Sequence, residues 1–161
     1  GMFEGIVSKV AILVCFQSLI LDMAGNVGTQ SLAVTIRVLM DEDITFKTRL
    51  ALIWKEVKIG MANGGLLGIV SFLCIGVYVW LFKGNSILYG FAVSACVGIS
   101  LVLAMAISSF AGTVIPLFFH KIKVDPAVAS GPLITTVNDL VAVITYYGMA
   151  WLMLFHLFHL A

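Results

Sequence analysis

The last apolar segment of the chain begins with four polar side chains that have the chemistry of a cation site. Thr135 and Thr136 supply hydroxyls, Asn138 supplies an amide and Asp139 supplies a carboxylate. On a helix, residues three and four apart lie on the same face, so both threonines align with Asp139. The spacing therefore predicts a stripe of oxygen donors along one helix face.

An ionised Asp139 inside a membrane needs a compensating interaction. Even on the lenient insertion scale, burying this side chain costs about 2.5–3.5 kcal/mol. Every basic side chain lies in a predicted loop or near a predicted helix end, so a water-filled cation pathway is favoured over a structural ion pair. Pro132 removes a backbone donor, and the carbonyls near Ile134 and Thr135 are therefore expected to be free as additional ligands.

Oxygen donors without a neighbouring thiol or imidazole favour a hard divalent cation such as Mg2+, Ca2+ or Mn2+. Mg2+ loses its waters reluctantly, so a few carboxylates acting through its hydration shell suffice to hold it. One aspartate per chain makes a small site. A symmetric homodimer that brings two copies of Asp139 together around an axis makes a stronger one.

Two polar residues around the start of the second apolar segment are further candidates for a cation pathway. Glu56 either lies at the cytoplasmic mouth as a secondary cation site or forms a salt bridge with Arg49 or Lys55. Asn63 either hydrogen-bonds a neighbouring helix or faces a polar pathway. Both alternatives stay open for each residue.

The composition is that of a membrane protein. Apolar residues make up 61% of the 161 residues and charged residues 11%, against about 45–50% and about 25% in soluble domains. The lipid bilayer is therefore the principal partner. A net charge of +1 and the lack of a basic run give no reason to expect a nucleic-acid partner. The outer aromatic belt or the lipid face is the expected place of Trp80, Tyr146, Tyr147 and Trp151.

The hydrophobic pattern predicts an all-α fold, a polytopic membrane bundle of about four kinked transmembrane helices. A polar stretch with glycines is expected to interrupt the first helix near 22–30, where it requires shielding by protein. The predicted helices cover residues 3–40, 55–82, 85–120 and 126–160. Together they form one transmembrane ion-conducting domain over 1–161.

Basic residues in short loops predict the orientation of these helices. Residues 41–58 form the strongly charged block of the chain, expected as a solvated loop and a helix at the membrane surface. Residues 121–125 form a turn that contains two lysines. Both regions are predicted to be cytoplasmic, which places the C-terminus outside in a multi-pass protein of the cell membrane.

Several runs of residues together resemble the signature of the MgtE magnesium channel family. They are DMAGNVGTQS at 22–31, GMANG at 60–64 after Glu56, DPAVASGP at 125–132 and TTVND at 135–139. These runs follow the family's order and cover nearly the whole chain, which makes them more specific together than singly. The related eukaryotic solute carriers for magnesium share the pattern more loosely.

The resemblance implies a homodimer with a central pore between the subunits, in which hydrated Mg2+ is held at Asp139. It implies a transmembrane domain of five helices with the C-terminus outside, of which this chain contains the last four. It also implies pore-side positions for Gly25, Asn26 and Gln30, and positions around the ion for Thr135, Thr136 and Asn138.

The chain departs from the family pattern in two ways. The family's cytoplasmic N-terminal and CBS regulatory domains and its first transmembrane helix are not in this sequence, so no regulatory domain is expected here. Asp22 stands where a small residue is expected. Its carboxylate either adds to a cation site near the pore mouth or lies at the subunit interface.

Three other functions fit parts of the pattern. A coupled carrier that exchanges Mg2+ for Na+ or H+ would use the same Asp139. Asp22 and Asp139 resemble the paired carboxylates of an intramembrane aspartyl protease, but the second aspartate lacks the Gly-x-Gly-Asp context of those enzymes. A purely structural membrane subunit would need no ion at Asp139. Ion transport, and not catalysis, is the favoured function.

Overall fold

The fold is known from a computed structural model that describes residues 2–41, 44–84, 86–129 and 132–153. All secondary structure in these ranges is helical, which confirms the predicted all-α class. The elements are α1 (Met2–Asp41), α2 (Phe46–Lys83), α3 (Ile87–Lys121), a 3-10 turn (Pro126–Ala129) and α4 (Pro132–Ala150).

Four helices in the described ranges are long and apolar enough to cross a membrane. A span needs about 20 residues to cross a hydrocarbon core of about 30 Å. The candidate spans are Ala11–Met40, Phe46–Lys83, Ile87–Lys121 and Pro132–Met153, with lengths of 30, 38, 35 and 22 residues. The prediction of a multi-pass membrane bundle is confirmed.

Side-chain caps and one glycine define the ends of α2 and α3. The hydroxyl of Thr45 accepts a hydrogen bond from the Thr48 amide at 3.3 Å, and that of Ser86 accepts one from the Tyr89 amide at 3.2 Å. Such caps satisfy amides that have no partner within the helix. Gly84 ends α2 with φ of 64°, a left-handed conformation that favours glycine. Only residues 84–86 connect α2 to α3, so the two helices are antiparallel neighbours.

Helix α3 is the centre of the bundle and packs against the other three helices. Its long interface with α2 depends on small residues, as the spacing of Gly60, Gly64 and Gly68 predicts. A Cβ atom built on Gly68 would lie 2.9 Å from the carbonyl oxygen of Gly98, and one on Gly64 would lie 2.7 Å from the Cα atom of Val102. The glycines thus allow the two backbones to touch.

The expected interruption of the first helix near 22–30 is wrong, because α1 is continuous from Met2 to Asp41. Backbone groups at membrane depth require internal hydrogen bonds, and a continuous helix provides them. Glycine in a helix costs only about 1 kcal/mol relative to alanine. The hydroxyl of Thr29 adds a hydrogen bond to the Gly25 carbonyl at 2.8 Å.

The second helix begins at Phe46 and not near residue 55, so the helix expected at the membrane surface within 41–58 is continuous with the second span. At 1.5 Å per residue, a helix of this length spans about 57 Å and extends well beyond the hydrocarbon core. The charged turns can therefore belong to the same helix as the apolar span. Residues 42 and 43 lie outside the described ranges.

The third and fourth predicted segments agree with the structure in part. Helix α3 matches the predicted 85–120 within two residues and contains Pro116 without ending there. The predicted start of the fourth helix at 126 is instead a 3-10 turn, and the α-helix begins at Pro132. The end of the predicted helix, 154–160, lies outside the described residues.

Candidate cation site

Two tyrosine hydroxyls hold α4 against α1. The hydroxyl of Tyr146, which is fully buried, donates to the carbonyl of Leu13 at 2.7 Å. The hydroxyl of Tyr147 donates to the side-chain oxygen of Gln17 at 2.6 Å. The expectation that Tyr146 belongs to the aromatic belt or the lipid face is therefore wrong, because its hydroxyl has a buried backbone partner.

A second contact between α1 and α4 also includes α3. A Cβ atom on Gly28 would overlap the side-chain amide of Asn138, and one on Gly112 would overlap the carbonyl oxygen of Gly28. We call these three residues the glycine junction. Asn138 is completely buried there, and both of its amide atoms lack a hydrogen-bond partner. Because Leu13 lies opposite Tyr146 while Gly28 lies opposite Asn138, α1 and α4 are antiparallel.

The carboxylate of Asp139 lies on a different face of α4 from the junction. One residue along an α-helix corresponds to a rotation of about 100°, so Asp139 is turned away from Asn138. It is half-buried, and the threonines at 135 and 136 are exposed. No described residue forms an ion pair or hydrogen bond with its carboxylate. The oxygen stripe predicted from the sequence is thus left largely open by this single chain.

The expectation of free backbone carbonyls at the start of α4 is wrong. The helix is regular from Pro132, so the carbonyls of Ile134 and Thr135 fall within its backbone hydrogen-bonding pattern. The hydroxyl of Thr136 donates to the carbonyl of Pro132 at 2.7 Å. The oxygens available at this face are therefore the Asp139 carboxylate and the threonine hydroxyls.

Helix α1 carries an exposed row of polar side chains. Asp22, Asn26 and Gln30 are four residues apart and all are exposed, whereas Gly25 beside them is half-buried. Asn26 also meets Asn63 of α2 at a cavity of about 310 Å3. The remaining lining is apolar, from Met23, Val27, Leu66, Leu67 and Met105. The structure thus joins two predicted site residues, but at a place that Asp139 does not line.

Glu56 does not lie at an open mouth, because only 1% of its surface is exposed. Its Oε1 atom has no hydrogen-bond partner. Among the described residues it pairs with neither Arg49 nor Lys55, so the expected salt bridge is also not formed. The sequence did not predict this burial, because Glu56 lies among charged residues. Its spacing of four residues from Gly60 is the sequence feature that places it on the packed face of α2.

The described residues contain no group of three or more His, Cys, Asp or Glu side chains that could hold a metal. A dehydrated divalent ion requires six or more oxygen ligands. One chain therefore offers no closed cage for such an ion in its described part. The donor set at Asp139 is suited to an ion that keeps its waters.

Sequence reasoning missed the part that Gly28 and Gly112 play in the site. Gly28 lies in the polar stretch 22–30 together with Gly25, and Gly112 lies within the uncharged third segment. Neither the spacing of Gly28 from Gly25 nor that of Gly112 from Gly98 indicates that Gly28 and Gly112 contact each other. Such a contact between α1 and α3 is visible only when the helices are placed together.

Comparison with known proteins completes the description of the site. Residues 17–149 match the family MgtE, described as divalent cation transporter. The chain is 41% identical over 148 residues to the magnesium transporter MgtE of Bacillus subtilis (strain 168), covering 92% of this chain and 31% of that protein. Its identity to the magnesium transporter MgtE of Enterococcus faecalis is 38% over 148 residues, with the same coverage of 92% and 31%. For the Thermus thermophilus protein of that name it is 31% over 153 residues, covering 94% and 32%. The chain spans about a third of the length of these curated relatives.

Proposed function

We propose that this chain, a member of the MgtE family of divalent cation transporters, conducts Mg2+ across a membrane. Asp139 attracts the hydrated ion in this proposal. The resemblance found in the sequence is confirmed by the family match. The family is one of transporters and not of enzymes, so the aspartyl protease alternative is rejected. The observation that carries the proposal is the half-buried Asp139 carboxylate, which lies in a membrane span without a partner among the described residues.

The donor chemistry supports Mg2+ with its hydration shell. Asp139 supplies one negative charge, and Thr135 beside it supplies a neutral hydroxyl. Mg2+ holds its waters strongly and is commonly bound through one or two carboxylates. A pathway lined by hydroxyls and a carboxylate can therefore hold the ion without removing its waters. In this proposal Mg2+ is the transported ion, and the whole chain serves as one ion-conducting domain.

A second copy of the chain is the proposed partner at this face. A charged side chain on a lipid-facing surface is costly, and such residues normally face a bundle interior or a water-filled cavity. The polar row Asp22, Asn26 and Gln30 on α1 poses the same problem. A second copy of the chain, related by a two-fold axis near these faces, covers both the Asp139 face and the polar row of α1. It also brings two Asp139 carboxylates to one ion. Gly25 and Asn63 are proposed as neighbours of the pathway rather than ligands.

The distribution of basic residues supports an orientation for this dimer. The end of α1, the start of α2, the end of α3 and the start of α4 share one end of the bundle, because successive helices alternate in direction. That end carries most of the basic residues, in 37–58 and 121–123, whereas Lys83 lies at the other end and Lys9 lies near the start of α1. Cytoplasmic loops are enriched in such residues. We therefore assign 41–58 and 121–125 to the cytoplasm and the C-terminus to the outside.

The direct test is Mg2+ uptake by liposomes that contain the protein and an entrapped magnesium indicator. We expect uptake above that of empty liposomes with Mg2+ as the only gradient, together with Mg2+ currents in planar bilayers. A coupled carrier that exchanges Mg2+ for Na+ or H+ would instead require a gradient of the second ion. No uptake under either condition contradicts the proposal.

Cysteine cross-linking tests the proposed dimer. We expect Thr135→Cys to form a disulfide-linked dimer on mild oxidation in liposomes, since residues near a two-fold axis lie close to their own copies. A disulfide requires Cα atoms within about 7 Å. The experiment uses a background in which the exposed Cys15 and Cys74 are replaced by alanine.

The matched control is Ile69→Cys on the apolar outer face of α2, where Ile69 is 66% exposed. We expect no cross-link from this variant. Equal cross-linking of the two variants, or none at Thr135→Cys, would rule out an axis near the Asp139 face.

A further inference from the structure

The interface between α2 and α3 contains a buried carboxylate that the proposed pathway does not use. Glu56 is 1% exposed, and its Oε1 atom has no partner. A buried ionised group without a partner is strongly unfavourable, and native proteins compensate it with a counter-charge and further hydrogen bonds. No described side chain supplies that counter-charge to Glu56. An ionised Glu56 carboxylate in this interface therefore requires a cation beside it.

Oxygen atoms of α3 lie beside the turn of α2 that follows Glu56. A Cβ atom built on Gly60 would overlap the Ser109 hydroxyl oxygen and lie 2.7 Å from the carbonyl oxygen of Met105. Ser109 is fully buried, and its hydroxyl has no partner. Its backbone carbonyl is already used, because the Thr113 hydroxyl donates to it at 2.9 Å. The Ser109 hydroxyl is therefore the group at this place that still has an unused hydrogen-bond donor and acceptor.

The register of the two helices places Glu56 and Ser109 in the same part of the interface. Gly64 lies against Leu101 and Val102, and Gly60 lies against Met105 and Ser109. Glu56 is one turn before Gly60 on the same face of α2 and shares its burial. The antiparallel progression thus brings the carboxylate opposite the turn of α3 that begins at Ser109.

We infer that Glu56 and Ser109 form an occluded site for one monovalent metal cation, and that Na+ is the ion that fits best. The ligands are all oxygen atoms, which favours a hard cation over a soft one. One carboxylate balances a single positive charge, whereas a divalent ion would leave an excess charge in an apolar interface. The site lies between α2 and α3 and is separate from Asp139 on α4. It does not depend on the proposed Mg2+ pathway.

The test is the thermal stability of the purified protein in detergent at fixed pH and ionic strength, with choline replaced by Na+. A ligand that binds only the folded state raises the Tm with concentration. We expect a rise of about 3–6 °C when Na+ reaches tenfold its Kd. Glu56→Gln keeps the shape of the side chain and removes its charge, so its Tm is expected to be the same in Na+ and choline.

Two serine variants keep the test decisive if Glu56→Gln does not fold. Ser109→Ala is expected to raise the Na+ concentration that gives the half-maximal rise in Tm by about tenfold, because the site loses one ligand oxygen. Ser108→Ala is the matched control. Ser108 is equally buried and also unpartnered, but it is not among the atoms nearest Gly60. Its substitution is expected to leave the Na+ response unchanged.

Three results would overturn the inference, and each is independent of transport. The first is a wild-type Tm that is the same in Na+ and choline, as expected if Glu56 is held neutral. The second is a Na+ shift that persists in Glu56→Gln. The third is an equal effect of Ser109→Ala and Ser108→Ala on the Na+ concentration required.

Discussion

Asp139→Asn is expected to reduce Mg2+ uptake by protein-containing liposomes about 10- to 100-fold, with the folded protein retained. Interactions with a charged group contribute about 1.5–3 kcal/mol, which corresponds to that range. The amide has the size and shape of the carboxylate but no charge to attract the hydrated ion. Because Asp139 is only half-buried and has no partner among the described residues, its neutralisation removes no packing contact of the chain itself.

Two companion variants separate a charge effect from a general one. Asp139→Glu keeps the charge, so part of the uptake is expected to return. Asp125→Asn makes the same chemical change in the exposed turn after α3, where the Asp125 carboxylate accepts a hydrogen bond from the Ala127 amide at 2.9 Å. We expect wild-type uptake from this control. Uptake of Asp139→Asn equal to wild type would favour a structural subunit and would remove the central claim.

Gly112→Ala is expected to lower the Tm of the purified protein by about 2–12 °C. The added methyl would overlap the carbonyl oxygen of Gly28, and backbone atoms cannot rotate away as a side chain does. Overpacking of a tight contact costs about 1–3 kcal/mol, and each kcal/mol lowers the Tm by about 2–4 °C in a chain of this size. The same displacement moves α1 away from Asn138, which precedes Asp139, so uptake is expected to fall as well.

Gly25→Ala is the matched control for Gly112→Ala. Gly25 lies in α1, and a Cβ atom there would have no neighbour within 4 Å. Alanine favours the helix over glycine by about 1 kcal/mol, so the Tm is expected to stay unchanged or rise. The comparison is made by thermal unfolding in the same detergent. An equal loss of stability in the two variants would show that the glycine junction has no special packing role.

The number of spans and their approximate bounds could be predicted from the sequence because the bilayer imposes them directly. Uncharged runs such as 59–82 are long enough to cross the hydrocarbon core, and few other structures tolerate them. The polar stripe at Asp139 was also predicted, since helical spacing alone aligns the threonines with the carboxylate. The spacing of Gly60, Gly64 and Gly68 likewise predicted a close helix contact.

The errors concern residues whose surroundings depend on other helices. The glycines near 25 predicted a break in α1, but hydrogen bonding at membrane depth keeps the helix continuous. Glu56 was expected near solvent because charged residues surround it in the sequence, yet its side chain lies on the face that α2 presents to the bundle. Tyr146 was assigned to the outer aromatic belt or the lipid face, although its hydroxyl donates to the Leu13 carbonyl, 133 positions away in the sequence.

The sequence by itself determined that this protein is an all-helical membrane protein with a carboxylate in its last span, because hydrophobic length and helical periodicity are local properties of the chain. Only the tertiary structure decided which polar groups are buried and which remain open. Asn138 and Asp139 are adjacent in the sequence, yet Asn138 is enclosed at the glycine junction and Asp139 is half-buried on a different face of α4. That difference arises from the contact of α4 with α1 and α3, and no local pattern encodes which helix will cover a given face.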